Sequence, residues 1–260
     1  MNSKTEKKEK MAKHCALITA KGNNQSMPDK NLLPICGKPS LQYVIEAAKN
    51  AKLISDVFLS TEDPRIRDLG ILLGCRIIDR PVSLSQPDSN HGDVIRHGTD
   101  FIKNEIDNLG CVTVLLGNTV MTNSDLIDLS LRILDKKQEI DSVMSVWQAQ
   151  DDHPYRALKL DENGYLKSFL NIQSGTSRQY YPTVYYYDQG VWTFRHECVY
   201  ERKGPNPWWW MGEQSFPILR NWVTGRDFHS QLDLDFSDYW IKSNHIDEIL
   251  NLKEIENIIK

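Results

Sequence analysis

The chain has 260 residues, of which 40% are hydrophobic and 25% are charged, and its formal net charge is −4. This length accommodates one large domain, or a domain with a small appendage, and the apolar fraction is sufficient for a buried core. The negative charge balance argues against a protein that coats nucleic acid, because binding along a phosphate backbone requires a basic face.

The cysteine spacing and the first residues bear on the cellular compartment. The five cysteines include no C-x-x-C pair, so they predict neither a disulfide framework nor a zinc site. We expect reduced thiols in a cytoplasmic protein. Residues 1–13 are polar and mixed in charge, so we expect a disordered tail and no signal peptide. No run approaches the roughly 18 apolar residues that a membrane span requires, and we expect no membrane partner.

Short β-like runs alternate with amphipathic helical patterns between residues 15 and 147. The runs predicted as strands buried on both faces are 16–20, 57–60, 76–78, 112–116 and 142–147. The helical stripes between them begin near Leu41, near Ile95 and after Asn123, where Asn123 or Ser124 is the expected N-cap. This alternation predicts an α/β fold of the Rossmann-like type, a mostly parallel sheet with helices on both faces.

The pattern changes after residue 150. Residues 157–160 and 165–169 flank Asp161-Glu-Asn-Gly164, which predicts a β-hairpin, and residues 180–194 are aromatic and β-prone. We therefore predict a hairpin insertion over 150–195 that either covers the site or pairs with another subunit. Residues 14–150 and 196–260 would form the main domain, in which 229–235 returns to the sheet as a strand and 238–260 forms closing helices.

The loop after the first predicted strand, residues 21–31, is a candidate phosphate-binding loop. In open α/β sheets ligands bind beyond the carboxyl ends of the strands, where this loop lies. It matches neither G-x-x-x-x-G-K-[ST] nor G-x-G-x-x-G. Its glycine, its short polar residues and the ammonium groups of Lys21 and Lys30 can face a polyphosphate. An ordinary solvated loop is the alternative, and composition alone does not separate the two.

Asp233 and Asp235 form the second candidate constellation. On a strand, residues i and i+2 point to the same face, so both carboxylates would converge on one spot. Two adjacent carboxylates repel unless a cation lies between them, and Mg²⁺ suits such a pair. Aspartates that cap a strand end are the alternative. The histidines lack metal-ligand spacing and are interpreted as structural, and Trp208–Trp210 is interpreted as packing or an interface.

Several segments, in family order and at family spacing, resemble the acylneuraminate and Kdo cytidylyltransferases, the CMP-sialic acid and CMP-Kdo synthetases. The family patterns are I-P-A-R-x-x-S-K-x-x-P-x-K-N with G-K-P, V-S-T-D, an R-P turn, H-P, P-R-Q-x-x-P and I-D-I-D. The matching segments are 16–32 with 37–39, 59–63, 79–81, 153–154, 177–182 and 232–235. The resemblance covers about residues 14–250.

This resemblance implies a cytidylyltransferase that moves CMP from CTP to an acidic 2-keto-3-deoxy sugar, with Mg²⁺, as a homodimer. The residues it implies for catalysis are Lys21, Lys30 and Asp235, and those for the metal are Asp233 and Asp235. For the nucleotide they are Ala20, Gly22, Asn23, Asn31 and Arg80. For the sugar they are Asn118, Arg178, Gln179 and Gln189, with Arg178 reaching the sugar carboxylate across the dimer interface.

The chain departs from the family pattern mainly on the acceptor side. Gln25 replaces a second loop lysine, Lys21 replaces an arginine, and the L-Q-P-T-S-P turn becomes residues 116–120. R-x-N-G becomes residues 187–190, which removes another arginine. The alternatives are a nucleotidyltransferase of the same fold with another NTP or acceptor, and a non-catalytic relative that binds sugar nucleotide. A glycosyltransferase is disfavoured, because residues 117–119 replace the internal D-x-D expected after the fourth strand.

Overall fold

The computed structural model describes residues 12–22, 24, 27–172, 175, 177–245 and 248–260. Its strands are β1 (Lys13–Thr19), β2 (Pro34–Ile35), β3 (Lys38–Pro39), β4 (Ile54–Thr61), β5 (Arg76–Asp79), β6 (Leu109–Leu116), β7 (Ser142–Gln148), β8 (Leu158–Leu160), β9 (Leu166–Ser168), β10 (Tyr185–Arg195) and β11 (Ser215–Leu219). Its α-helices are α1 (Ser40–Asn50), α2 (Pro64–Leu72), α3 (His91–Glu105), α4 (Ser124–Lys136), α5 (Cys198–Glu201), α6 (Gln231–Lys242) and α7 (Leu252–Ile259).

Among the described residues, seven strands form the central sheet, in the order β11-β7-β10-β6-β1-β4-β5. All neighbouring pairs are parallel except the two that β10 makes with β6 and β7. Alternate residues of β1 enter different cores: Ala16 and Ile18 pack towards α1 and α4, whereas Cys15 and Leu17 pack towards α3. The predicted mostly parallel α/β sheet, with helices on both faces, is confirmed.

The predicted strands and helices of the first half occur where the hydrophobic pattern places them. Four of the five predicted strands lie entirely within β4, β5, β6 and β7. The fifth, predicted over 16–20, overlaps β1 in all but its last residue. The N-cap of α4 is Asn123, whose side chain accepts a hydrogen bond from the backbone N–H of Leu126 at 2.9 Å. Local signals suffice in this region because these strands are buried on both faces and their helices bury one stripe.

The insertion is shorter than predicted. β8 and β9 form the expected antiparallel hairpin, separate from the main sheet. However, β10 lies in the middle of the central sheet, so residues 185–195 belong to the main domain and the insertion ends before Tyr185. Aromatic, β-prone residues suit a hairpin arm and a central strand equally well, which is why composition misplaced them. At the N-terminus, Lys13 already belongs to β1, and residues 1–11 of the predicted tail lie outside the described residues.

The predicted strand over 229–235 is wrong, because this segment enters α6. Ser230 caps the helix, and its side chain and the carboxylate of Asp233 form a reciprocal capping box. The strand that extends the sheet at this side is instead β11, which pairs in parallel with β7. The Ser-x-x-Asp spacing is the sequence signal for this helix start, and the alternation of Leu and Asp concealed it.

The structure also bears on the cysteines, on membrane-spanning helices and on the tryptophans. The five cysteines are all free, and four of them are buried. Among the described residues, no helix combines the length and the hydrophobicity needed to cross a bilayer. Trp210 is 3% exposed and packs in the core with Trp192 and Met211, which supports the packing interpretation of that tryptophan.

Candidate active site

A cavity of about 270 Å³ opens at the carboxyl ends of β1, β5 and β6. Parallel strands place the residues that follow them at one edge of the sheet, so side chains distant in sequence meet there. The polar residues lining the cavity include Lys21, Lys30, Asn31, Arg80, His91, Asn118 and Asp227. The structure therefore brings together both loop lysines, Asn31, Arg80 and Asn118, all of which are site residues predicted from the sequence.

Lys21 and Lys30 supply two of the cavity's positive charges. Lys21 Nζ donates a hydrogen bond to the carbonyl oxygen of Gln86 at 3.1 Å. Lys30 Nζ lies 3.8 Å from Asp227 Oδ2, and both side chains are largely buried. Burial lowers the pKa of the Lys30 ammonium, and the nearby carboxylate of Asp227 partly opposes this effect. A poorly solvated ammonium of this kind interacts strongly with an anion that enters the cavity.

Arg80 supplies the third positive charge and is only 7% exposed. Its Nη2 donates to the carbonyl oxygen of Ser60 at 2.6 Å, and its Nη1 lies 3.9 Å from Glu62 Oε2. Burial lowers the pKa of Arg80 to about 10, so the guanidinium remains charged at neutral pH. Glu62 also accepts hydrogen bonds from the backbone N–H of Gly22 at 2.8 Å and from Ser85 Oγ at 2.9 Å. Glu62 thereby connects the first loop to the segment that follows Arg80.

Asp227 is the carboxylate among the described residues that line this cavity, and it was not among the site residues predicted from the sequence. Asn118 Nδ2 donates to Asp227 Oδ2 at 3.0 Å, and His229 Nε2 lies 2.9 Å from Asp227 Oδ1. Asp227 and His229 are two residues apart in the non-helical segment directly before the Ser230 cap of α6. The sequence signal that could have identified Asp227 was therefore its spacing of two residues from His229, immediately before the Ser-x-x-Asp capping box.

Asp233 and Asp235 do not form the predicted carboxylate pair. Residues two apart on a helix point about 200° apart, so the two side chains of α6 diverge. Asp233 is buried, where it accepts hydrogen bonds from the backbone N–H groups of His229 and Ser230 and pairs with Arg226 at 3.0 Å. Asp235 is exposed and accepts a hydrogen bond from Gln231 Nε2 at 2.8 Å. The geometric basis for a metal site at these two residues is absent.

The other residues proposed for the nucleotide lie on the same loop. Asn31 is buried in the cavity wall, where its Nδ2 donates to the carbonyl oxygen of Lys21 at 2.8 Å. Ala20 and Gly22 flank Lys21, but neither is among the described residues that line the cavity. Asn23, and Gln25 at the altered lysine position, lie outside the described residues.

The residues proposed for the sugar are divided between two places. Asn118 lines the cavity, whereas Arg178 and Gln179 line a separate cleft with Gln148 and Gln150. Arg178 Nη1 lies 3.1 Å from Asp151 Oδ1, and its side chain is half exposed. Gln189 lies on β10, where its backbone N–H donates to the carbonyl oxygen of Gly225 at 2.9 Å. Within this chain, Arg178 and Gln179 are therefore not part of the cavity that holds Lys30.

His91 also lines the cavity, although its sequence context was interpreted as structural. It is the first residue of α3, and its Nε2 lies 3.1 Å from Thr19 Oγ1. Burial, together with the charge of Arg80, lowers the pKa of His91 to about 4. The imidazole is therefore neutral at physiological pH and acts in the cavity wall as a hydrogen-bonding group without charge.

The stability of the protein should fall in mild acid because of His91. The unfolded chain binds a proton on this histidine near pH 6.5, whereas the folded protein resists protonation down to about pH 4. The unfolded state thus binds more protons in this interval, so the free energy of unfolding falls as the pH falls through it. We expect thermal melting followed by circular dichroism to show a shallower pH dependence for His91→Gln than for wild type. An equally steep dependence in His91→Gln would contradict this assignment, and His245→Gln, at an exposed histidine, is the control.

A magnesium ion is compatible with this cavity only if most of its ligands come from a substrate. Among the described residues, no group of three or more His, Cys, Asp and Glu side chains could hold a metal ion. Asp227 is the single carboxylate among the described lining residues. Mg²⁺ commonly uses one or two carboxylates together with phosphate oxygens and water, so one carboxylate is sufficient for an ion that arrives with a polyphosphate.

Comparison with known proteins identifies relatives of the chain. The cytidylyltransferase family matches residues 15–197. The pseudaminic acid cytidylyltransferase of Campylobacter jejuni is 24% identical over 243 residues, which are 90% of this chain and 98% of that protein. The N-acylneuraminate cytidylyltransferase of Streptococcus agalactiae is 24% identical over 231 residues, which are 88% of this chain. The chain spans about half the length of that streptococcal protein, 52% of which is matched.

A solved structure shows the same fold. The CMP:2-keto-3-deoxy-manno-octonic acid synthetase complexed with CTP has a TM-score of 0.65 and 15% sequence identity. The match covers 90% of this chain and 100% of that one. At this identity the likeness concerns the arrangement of the sheet and helices alone. The family match over residues 15–197, on a sheet whose carboxyl edge carries the lysine-rich loop, shows that the chain belongs to the cytidylyltransferase family.

Proposed function

We propose that the protein is a cytidylyltransferase that transfers CMP from CTP to an acidic 2-keto-3-deoxy sugar, sialic-acid-like or Kdo-like, and releases pyrophosphate. The observation that carries this proposal is the convergence of Lys21, Lys30 and Arg80 with Asp227 in one cavity. Three cations suit a triphosphate, and the carboxylate suits a metal ion that accompanies it. The names of the relatives, which include N-acylneuraminate and pseudaminic acid cytidylyltransferases, support the acceptor class.

In the proposed reaction, the anomeric hydroxyl oxygen of the sugar forms a bond to the α-phosphorus of CTP. The bond from that phosphorus to the bridging α,β-oxygen breaks, pyrophosphate leaves with the bonding electrons, and the hydroxyl proton passes to water. Such transfers are catalysed mainly by positioning and by neutralisation of charge. Lys21 and Lys30 would neutralise the phosphate oxygens, and Arg80, fixed by Ser60 and Glu62, would contribute a charge that cannot move away.

Magnesium is part of the proposal, with Asp227 as the protein ligand in place of Asp233 and Asp235. When bound, the ion would polarise the phosphate oxygens and offset the charge of the leaving pyrophosphate. Asn118 holds one oxygen of Asp227, which orients the carboxylate. Lys30, 3.8 Å from the same oxygen, balances the carboxylate charge in the absence of a cation.

A homodimer is the proposed assembly, and the hairpin of β8 and β9 is its proposed contact. The hairpin is detached from the main sheet, and its exposed apolar residues are Leu158, Leu160, Tyr165, Leu166 and Phe169. Clustered apolar side chains of this kind mark a surface that another protein covers. A partner docked there would bring residues of the insertion, including Arg178, to the neighbouring cavity, where a guanidinium would bind the sugar carboxylate.

The double variant Leu160→Glu/Leu166→Glu is expected to dissociate this dimer. The two leucines face each other across the hairpin and are 66% and 65% exposed, so carboxylates there would be buried without partners in the interface. Sedimentation should change from dimer to monomer mass, with an unchanged circular dichroism spectrum. The matched control is Ile71→Glu/Leu72→Glu, at exposed apolar residues of α2, which should remain dimeric. A dimeric hairpin variant would exclude this surface.

The proposed activity is tested by nucleotide binding followed by product formation. Calorimetry with CTP, UTP, GTP and ATP, each with magnesium, should show selective CTP binding. Pyrophosphate release should then require CTP together with one of three acceptors, N-acetylneuraminic acid, pseudaminic acid or Kdo. Selective binding of another nucleotide would favour a different nucleotidyltransferase of the same fold. Binding without pyrophosphate release with any of these acids would favour another acceptor or a non-catalytic sugar-nucleotide-binding relative.

A further inference from the structure

A completely buried ion pair joins β10 to the end of β11. Arg220 Nη1 lies 3.1 Å from Asp188 Oδ2, and neither side chain has any exposed surface. Asp188 belongs to a bulge of β10, where the pairing with β7 breaks between Tyr187 and Trp192. Its other oxygen accepts hydrogen bonds from the backbone N–H of Gly190 at 2.7 Å and from Ser145 Oγ. The carboxylate therefore organises the bulge and holds the arginine at the same time.

This bulge fixes the loop that leads to Asp227. Arg220 Nη2 donates to the carbonyl oxygen of Thr224 at 3.2 Å. The carbonyl oxygen of the next residue, Gly225, accepts the backbone N–H of Gln189 at 2.9 Å. Gly225 also packs so closely on Asp188 that an added Cβ would overlap the aspartate side chain. The loop is thus held at two consecutive residues, Thr224 by Arg220 and Gly225 by Gln189 of the bulge, which precede Asp227 by three and two positions.

The same bulge fixes the loop that carries Asn118. Thr122 Oγ1 donates to the carbonyl oxygen of Gly190 at 2.9 Å. Asn118 Nδ2 donates to Asp227 Oδ2 at 3.0 Å, so the two loops meet at the cavity. The two loops follow different strands, β6 and β11, and contacts with the bulge set their positions relative to each other.

The energetics of a buried ion pair suggest a role in geometry. Taking both charges out of water costs about as much as their attraction returns, so such a pair contributes little net stability. Removal of one partner is costly because it leaves an unpaired buried charge, whereas replacement of both is often tolerated. The pair instead fixes the orientation of the groups it joins, because the planar guanidinium binds Asp188 and Thr224 with defined geometry. Gly190 confines this fork, because an added Cβ would collide with Arg220 Nη1.

We propose that the Asp188–Arg220 pair is a positioning device that sets the places of Asp227 and Asn118, and through them the turnover rate. The expected effect of the pair on rate rests on the proposed function. Its expected effect on the Asn118–Asp227 contact rests on geometry alone. Neither residue of the pair is among the described residues lining the cavity. The pair should therefore affect turnover much more than nucleotide affinity, which Lys30 and Arg80 supply.

The test is the double variant Asp188→Asn/Arg220→Met, which removes both charges and leaves no unpaired one. We expect a melting temperature close to that of wild type and a KM for CTP within about threefold. We expect kcat to fall by about 10- to 100-fold, since small misplacements of catalytic groups have effects of this size. In nuclear magnetic resonance spectra, the side-chain amide signal of Asn118, assigned with Asn118→Ala, should move because its hydrogen bond to Asp227 is disturbed.

Two further variants make the outcomes decisive. Asp128→Asn is the matched control, because Asp128 is also buried and binds the backbone N–H groups of Lys52 and Leu53 at 3.0 and 2.9 Å, outside the cavity lining. It should lower the melting temperature without changing kcat. If the double variant does not fold, Arg220→Lys, which keeps the charge but loses the fork, should give the same loss of kcat and the same signal shift.

An unchanged kcat with an unmoved Asn118 signal would overturn the positioning role. Equal losses of kcat in the double variant and in Asp128→Asn would also overturn it, since they would reflect stability alone. If wild type releases no pyrophosphate with any acid, the proposed function fails, and the Asn118 signal still decides whether the pair positions this contact.

Discussion

Replacement of Asp227 by asparagine is expected to reduce pyrophosphate release from CTP by about 10²–10³-fold, the size of effect found when a preorganised charge-stabilising group is removed. The asparagine keeps the shape of the side chain but removes the charge that would hold magnesium against the phosphates. It also leaves the largely buried Lys30, 3.8 Å from Asp227 Oδ2, without its partner. The measurement is steady-state pyrophosphate release at several magnesium concentrations, and added magnesium should restore little activity.

Asp235→Asn is the matched control for this variant, because it makes the same chemical change eight positions along the chain. Asp235 is exposed on α6 and bonded to Gln231, so its variant should retain activity within about twofold. Asp233→Asn should lower the melting temperature, since Asp233 closes the capping box of α6, with a cost of about 1 kcal/mol typical of a lost cap. Loss of activity in Asp235→Asn together with a fully active Asp227→Asn would contradict this assignment and support the metal site predicted from the sequence.

Lys30→Met is expected to weaken CTP binding and lower kcat/KM for CTP by about 10²–10³-fold, equivalent to about 3–4 kcal/mol of transition-state stabilisation. The methionine fills a similar volume but removes an ammonium whose pKa burial already lowers, a sign of poor solvation. A poorly solvated charge interacts more strongly with phosphate than one in water does. Calorimetry with CTP and magnesium, together with initial rates over a range of CTP concentrations, measures both effects.

The matched control is Lys38→Met, which removes a lysine from the same region of the chain. Lys38 is half exposed and pairs with Glu46 at 2.9 Å, an exposed ion pair of the kind that contributes little. This variant should bind CTP as wild type does. If both lysine variants lose affinity equally, the effect is one of overall charge, and the specific role of Lys30 is wrong.

Much of the fold and part of the site were accessible from the sequence. The strand β1, the loop after it and the strand β6 follow from unbroken apolar runs and from the break that ends them. Lys30 was predicted from the position of its loop at the carboxyl edge of a parallel sheet, and Asn118 from the family resemblance. The structure places both in the cavity.

The carboxylate of the site was predicted at Asp233 and Asp235 because the local sequence of residues 230–235 suits both a strand and the start of a helix. Leu232 and Leu234 alternate with aspartates, which suits a strand, yet Leu232 is 74% exposed on a helix. The capping interactions of Ser230 and Asp233, together with packing of Leu234 in a small core, decide for the helix. Tertiary packing of this kind routinely overrides weak local propensity.

The sequence by itself determined the order of the predicted strands and helices between residues 15 and 147, the α/β class, the lysine-bearing loop and the family resemblance. These depend on local periodicity and on neighbours along the chain, which a pattern of residues records directly. Only the tertiary structure decided that β10 lies between β6 and β7, that Asp227 faces Lys30, and that a buried ion pair holds two loops of the site. The physical reason is that hydrophobicity specifies whether a residue is buried, whereas its partners are chosen by long-range packing among all the elements of the fold.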